Sequence, residues 1–314
     1  MAMARKRRGL PIHGWLILDK PLGMTSTQAV PAVRRALGAA KAGHGGTLDP
    51  LATGVLPIAL GEATKTVSHV MDGAKTYRFT VRWGEARDTD DAEGEVVATS
   101  ARRPSEAEIR AVLPEFVGTI SQVPPIFSAI KVGGARAYDL ARAKTAIELA
   151  PRPVRIDRLE LVGRPDAEHA EFEARSGKGA YMRSLARDLA LRLGTVGHIA
   201  ALRRTAAGPF TEAQAISLET LIALGHSAAA VGAPSGPLLA VETALDDIPA
   251  LALTAAEANR LRCGQSVGLI HRMDRERVGN LESGSLVCAM SGGKPVALAR
   301  FEAGDLRPVR VLHL

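Results

Sequence analysis

The chain is poor in cysteine: only Cys263 and Cys288 occur in 314 residues, far apart and outside any CxxC or His/Cys cluster. That scarcity argues against a disulfide framework and against a structural zinc site. No run of 18 or more apolar residues is present, so no segment reads as a membrane-spanning helix. The N-terminus MAMARKRRGLP is basic, but no apolar stretch follows it and it does not read as a signal peptide. Missing as well are GxGxxG after a strand and GxxxxGK[ST] anywhere, which counts against dinucleotide and Walker-type nucleotide binding. No internal repeat is visible.

What is present is an ordinary globular composition, with 46% hydrophobic and 23% charged residues. A chain of this length accommodates one large domain and a small one. Lysine and arginine number 40 against 33 acids, a net charge of +7. Such an excess favours a polyanionic partner through counterion release, although alone it is weak evidence. Arg5 to Arg8 reads first as a solvated tail and only second as an RNA contact.

Patterning places the elements. Gly14 to Asp19 (GWLILD) is an apolar strand ending at the Lys20-Pro21-Leu22-Gly23 turn. Thr25 and Ser26 can cap a helix marked by Ala29, Val30, Val33 and Leu37, which Pro31 should delay or kink. Residues 43–54, GHGGTLDPLATG, look too rich in glycine for regular structure, and Val55 to Leu60 reads as a buried strand. Tyr77, Phe79, Val81 and Trp83 alternate with polar residues, so Tyr77 lies on the inward face at the start of a strand. Residues 84–94 form an acidic hairpin-like loop, and Ser105 with Glu108 signs a capped helix to about Leu113. Further strands are expected at Val154 to Val162 and Ala170 to Ala174, and a helix from about Ala180 to Gly194. Residues 226–240 read as a linker, after which a short helix over Ala255–Arg262 and brief strands form a β-rich unit. Irregular alternation of strands and helices predicts an α+β fold rather than a doubly wound parallel sheet.

The stretch GHGGTLDPLATG carries the chemistry-bearing pattern. Glycines 43, 45 and 46 permit positive φ and close approach to a ligand, and Asp49 on such a loop can touch a bound group. Read without context, Asp49 is equally an Asp-Pro turn initiator, and a phosphate nest would lack the P-loop lysine and hydroxyl.

The longer string GHGGTLDPLATGVLPIALGEATK, Gly43 to Lys65, resembles the active-site motif of bacterial tRNA pseudouridine synthases of the TruB type. GWLILDKPLGMTS (Gly14–Ser26), KTYRF (Lys75–Phe79) and GAYMRSLARDLA (Gly179–Ala190) match the same family in the same order. QVPPIFSAIKVGGARAYDLAR is similar to its RNA-gripping thumb. The resemblance covers nearly the whole chain and implies the activity that makes pseudouridine-55 in the tRNA T arm, without metal or organic cofactor. It implies a mixed, mainly antiparallel sheet flanked by helices and loops. It also implies a catalytic domain over residues 1–245, with a thumb at about 121–150, and a PUA-like RNA-binding module over 250–314.

Roles follow by the same resemblance. Asp49 matches the catalytic aspartate, Tyr77 the tyrosine that stacks on the flipped base, and Arg183 the arginine paired with the acid. By periodicity alone Tyr77 would be a core aromatic and Arg183 a solvent-facing helix residue sharing its face with Arg187. Tyr181 and Leu202 match pocket walls, His44 the histidine inserted where the base was, and Lys20 a support of the active-site loop. Asp91 matches a position near the RNA, although an acidic loop more often faces solvent. Lys131, Arg136, Arg142 and Lys144 give the thumb its positive charge. The implied partner is tRNA, bound by a cytoplasmic monomer with no membrane, guide RNA or obligatory protein partner. A non-catalytic tRNA-folding factor is the alternative, against which intact Asp49, Tyr77 and Arg183 argue.

Overall fold

The computed structural model describes residues 9–128, 130–132, 135–138, 143, 149–224, 236–269, 272–279 and 281–314. Strand β1 (Gly14–Lys20) is followed by α1 (Ser26–Ala36), β2 (Ala42–His44) and β3 (Ala52–Leu60). Next come α2 (Val67–Asp72), β4 (Lys75–Trp83), a hairpin of β5 (Glu85–Arg87) and β6 (Val96–Thr99), and α3 (Glu106–Val112). Strand β7 (Gly118–Gln122) leads to a two-rung hairpin, β8 (Lys131–Val132) with β9 (Ala135–Arg136). Strands β10 (Arg152–Gly163) and β11 (His169–Ser176) precede α4 (Met182–Arg192) and β12 (Gly197–Ala207). Short β13 (Phe210–Thr211), β14 (Ala215–Ser217), α5 (Leu218–Ala223) and β15 (Leu238–Leu239) finish this part.

One large sheet runs β14-β1-β3-β12-β4-β11-β10-β7, with β2, β13 and β15 attached at its side. Among the described residues only β1 with β14 and β3 with β12 are parallel in it, so the sheet is mixed and mainly antiparallel, as the resemblance implied. Strand β1 has no alternation because both of its faces are covered. Leu16 and Leu18 pack with α1, whereas Trp15 and Ile17 join Phe210, Val70 and Val241 on the other side. Strand β4 alternates because one face is open: Phe79, Val81 and Trp83 are buried with Leu185 and Leu189 of α4.

A second sheet is confined to the C-terminal stretch. It contains β16 (Ala250–Ala252), β17 (Val267–Gly268), β18 (Leu286–Ser291), β19 (Lys294–Glu302) and β20 (Asp305–Val311), in the order β16-β18-β19-β20-β17. Helix α6 (Ala255–Arg262) packs Ala258 and Leu261 onto it, and α7 (Arg272–Val278) was not foreseen from the sequence. The chain end ties back to the first sheet, since Lys65 Nζ donates to the Val311 carbonyl at 2.8 Å and His313 N to Glu62 Oε2 at 2.9 Å.

Three local expectations change. Helix α1 starts at Ser26 despite Pro31, because Thr25 and Gln28 form a full capping box that secures the first turn. Ser26 does not cap; it turns inward. The glycine-rich stretch is irregular only over residues 45–51, because Gly43 and His44 pair with Ala59 and Ile58, and β3 begins at Ala52. The linker expected at 226–240 lies mostly outside the described residues.

Candidate active site

The loop carrying Asp49 emerges between β2 and β3 and is anchored at nearly every residue. Gly45 N donates to the Pro57 carbonyl at 2.7 Å, and Ala52 N donates to Asp49 O at 3.0 Å. Ser26, 2% exposed, accepts from Leu48 N at 2.8 Å and donates to Leu48 O at 3.1 Å. Gly23 N and Lys20 Nζ both reach the Pro50 carbonyl, at 2.9 and 3.2 Å. Lys20 is fully buried and also donates to the carbonyls of Pro21 and Met24, at 2.9 and 2.6 Å. It therefore clamps the turn after β1 onto the Asp49 loop. Burial pulls the Lys20 ammonium down to about 8, against the opposing pull of Asp49 and with the help of Arg204.

Arg183, in the first turn of α4, stands against Asp49: Nε lies 2.9 Å from Oδ2. The N–H is poorly aligned, so the contact is an ion pair rather than a directed hydrogen bond. The arginine side chain is 5% exposed and the aspartate 37%, so the carboxylate stays reachable while its partner does not. Directed bonds from Arg183 go to backbone carbonyls, Nη1 to Thr89 at 2.9 Å and Nη2 to Phe127 at 2.8 Å. Asp91 Oδ2 lies 3.5 Å from Nη1.

Asp91 corrects the picture of a solvated acidic loop. It is 5% exposed, accepts from Thr89 Oγ1 at 2.6 Å and from Glu93 N at 3.1 Å, and bridges to Ile199. Neighbouring Asp90, with φ of 59°, takes Arg187 Nη1 at 2.8 Å, and its carboxyl is raised chiefly by burial. The loop folds inward because α4 presents two arginines to it. Arg187 is accordingly an inward-facing partner, not a solvent-facing one.

Tyr77 and Leu202 sit at the seam between two hydrophobic clusters, one built on α4 and one on α1, and touch both. Leu202 is paired across strands with Ala52 and Phe79. Tyr181 precedes α4; Gln122 brackets its backbone, accepting from Tyr181 N at 2.8 Å and donating to Tyr181 O at 3.1 Å. Burial raises the Tyr181 phenol, and the Asp49 charge adds to that. His44 on β2 is half-buried, and its Nδ1 finds no hydrogen-bond partner among the described residues. Burial and then the Arg204 charge lower it below the ordinary imidazole value.

Asp49, Arg183, Asp91, Lys20, Tyr181, Tyr77 and Leu202 are thus gathered round one seam in the large sheet. Beside it a cavity of about 480 Å³ opens on the other face of β4 and β12, lined by Leu51, Thr53, Arg78, Thr80 and Arg203 among others. The thumb cations are not placed by this geometry: Arg142 and Lys144 lie outside the described residues, as do the side chains of Lys131 and Arg136. Ser26, Gln122 and Arg204 had no role assigned from sequence. Ser26 was readable only as a cap, and Arg204 sits in a strand whose pairing no local pattern discloses.

Among solved structures, the chain resembles one in "Structure of H/ACA RNP bound to a substrate RNA containing 2'-deoxyuridine". The TM-score is 0.72 at 23% identity, covering 100% of this chain and 92% of that one. A chain in "Crystal structure of the archaeal box H/ACA sRNP Nop10-Cbf5 complex" matches with a TM-score of 0.70 at 24% identity, covering 99% and 92%. The chain therefore shares its fold with these two chains. Residues 34–182 match the N-terminal domain of the TruB family of pseudouridylate synthases, and residues 183–246 the tRNA pseudouridylate synthase B C-terminal domain. The chain is 58% identical over 312 residues to tRNA pseudouridine synthase B of Rhodospirillum rubrum, spanning 99% of this chain and 100% of that one. With the same enzyme of Caulobacter vibrioides it shares 53% over 313 residues, again 99% and 100%. The chain belongs to the TruB family of pseudouridylate synthases.

Proposed function

We propose that this chain isomerises a uridine of tRNA to pseudouridine, at position 55 in the T arm, with Asp49 as the catalytic residue. The observation that carries this is the Asp49–Arg183 pair, a reachable carboxylate 2.9 Å from a buried guanidinium at the seam of the sheet. The reaction breaks the bond from uracil N1 to the ribose C1′ and makes one from C5 to C1′. In net terms C5 loses a proton and N1 gains one, so the composition is unchanged and no electron or group acceptor is consumed. A single positioned carboxylate, attacking or accepting the proton, meets that demand. Arg183, bonded to the Thr89 and Phe127 carbonyls, holds that carboxylate in place.

A uridine in a folded T loop has to leave its stack to reach Asp49, and unstacking costs a few kcal/mol. Tyr77, Tyr181 and Leu202 form the wall against which the flipped base stacks, and His44 fills the place it vacates. Lys20 keeps the loop in register. The thumb at about 121–150, with Lys131, Arg136, Arg142 and Lys144, grips phosphates, and the unit over 250–314 is an RNA-binding module of the PUA type. Recognition is by shape and backbone more than by base edges. The enzyme works in the cytoplasm as a monomer without a guide RNA.

The test is an unmodified tRNA transcript incubated with wild type and with Asp49→Asn, pseudouridine being mapped by carbodiimide-dependent primer-extension stops. A single T-arm stop in wild type, absent in the variant with tRNA binding intact, is expected. A wild type that binds tRNA but leaves no stop would point to a folding factor.

A further inference from the structure

Arg183 accounts for one buried arginine of the site; a second, Arg204, has no part in the reaction as described. It lies on β12 two residues beyond Leu202, is 1% exposed, and is among the largest fully buried side chains. An uncompensated buried charge is strongly unfavourable, so buried guanidinium groups ordinarily face carboxylates. Arg183 does so with Asp49 and Asp91. Arg204 makes no ion pair among the described residues.

Its hydrogen bonds go to backbone carbonyls instead: Nε to Val55 at 2.8 Å, Nη1 to Thr47 at 3.2 Å and Nη2 to Gly46 at 3.2 Å. Two acceptors belong to the Asp49 loop and the third to the strand that follows it. One rigid planar fork therefore ties both ends of the loop to β12, the strand that also presents Leu202. The approach depends on Gly54: a Cβ there would fall 2.3 Å from the Arg204 carbonyl oxygen. Close contact of β3 with β12 at this glycine sets the guanidinium beneath the loop. Gly46, at φ of 131°, lets the loop turn so that its carbonyl points at Nη2.

Satisfying carbonyls does not by itself require a charge, since a glutamine amide also donates two N–H groups. The charge has visible consequences nearby. It acts with burial to lower His44, Lys20 and Lys75.

We infer that Arg204 is a positioning residue for the isomerisation, holding the Gly46–Thr47 backbone so that Asp49 stands against Arg183. This rests on the synthase reading. Arg204→Lys keeps the charge without the fork, and Arg204→Gln keeps two donors without the charge. Single-turnover rate on tRNA transcript at saturating enzyme, tRNA Kd, thermal melting and the His44 titration by NMR are measured for both.

Both variants are expected to fold and to bind tRNA within about threefold of wild type, with single-turnover rates about 100-fold lower, the scale of a misplacement near 1 Å. His44 should titrate at higher pH in Arg204→Gln and at the wild-type pH in Arg204→Lys. Folded variants with wild-type rates overturn the inference. So does a rate loss matched by an equal loss of tRNA binding, or failure of both variants to fold, which would make Arg204 a stability residue only. A wild type without product would defeat the synthase reading and this inference with it, while the His44 titration would still report the charge coupling.

Discussion

The buried cations Lys20 and Arg204 under the Asp49 loop and the charges of the C-terminal unit are handled in opposite ways. Lys20 and Arg204 are each 1% exposed or less, and their hydrogen bonds go to backbone carbonyls, as do those of Lys75 at the turn between α2 and β4. Burial drags both lysines down to about 8. In the C-terminal unit Glu257 closes the capping box of α6 with Thr254 and takes Arg277 Nη1 and Nη2 at 3.0 and 2.9 Å. Arg277 also reaches Asp274 at 2.9 Å. There the hydrogen bond from Arg277 is the main cause that pulls Glu257 down to about 2. A depressed acid is one whose charge the fold favours; a depressed lysine is one whose charge the fold resists. The C-terminal charges serve stability, whereas Lys20 and Arg204 are kept against it and serve the geometry of one loop.

Four substitutions test that contrast. Arg183→Met should have the largest effect, because Asp49 loses the guanidinium that faces it, with a single-turnover rate on the order of 100- to 1,000-fold lower. More than a tenth of the wild-type rate would mean that Asp49 does not rely on the pair. Lys20→Met is next, with a rate about 10- to 100-fold lower, on the scale of a loop displaced by up to 1 Å. Its melting temperature should move by only about 3 °C, since lost carbonyl bonds are offset by relief of a buried charge. A large drop in melting temperature would place Lys20 with the stabilising charges instead.

Glu257→Gln should leave the isomerisation rate within about twofold and lower stability by about 1 kcal/mol after solvent screening of this partly open pair. Because the folded carboxylate is depressed, its contribution is present above the ordinary value of 4.5 and lost as pH falls towards about 2. Melting curves of wild type and variant should therefore converge on acidification through that window; a constant gap would refute the assignment. Thr25→Ala, which removes the exposed cap of α1, should cost about 1 kcal/mol and a few degrees in melting temperature with little change in rate.

Much of this molecule is legible locally. The two-residue period of Tyr77 to Trp83 and the box at Ser105 and Glu108 predicted β4 and α3. The string from Gly43 to Lys65 singled out Asp49 before any contact was known. Ser26, Asp91 and Arg204 resisted the same treatment. Ser26 has cap chemistry but its bonds go to Leu48, 22 residues away. Asp91 sits in a stretch whose acidity suggests solvent, yet two arginines from α4 draw the loop inward. Arg204 looks like any arginine in a strand until β12 lies beside β3.

By itself the sequence determined most of the elements, because helix caps, strand periods and glycine-rich turns are set by neighbours along the chain, and its long matching string pointed to the family and to Asp49. Tertiary structure alone decided which cations are buried, which carbonyls they hold and that Asp49 meets Arg183 across 134 positions. Those outcomes depend on strand pairing and on the burial it imposes, and burial changes the free energy of a charge far more than any local preference does.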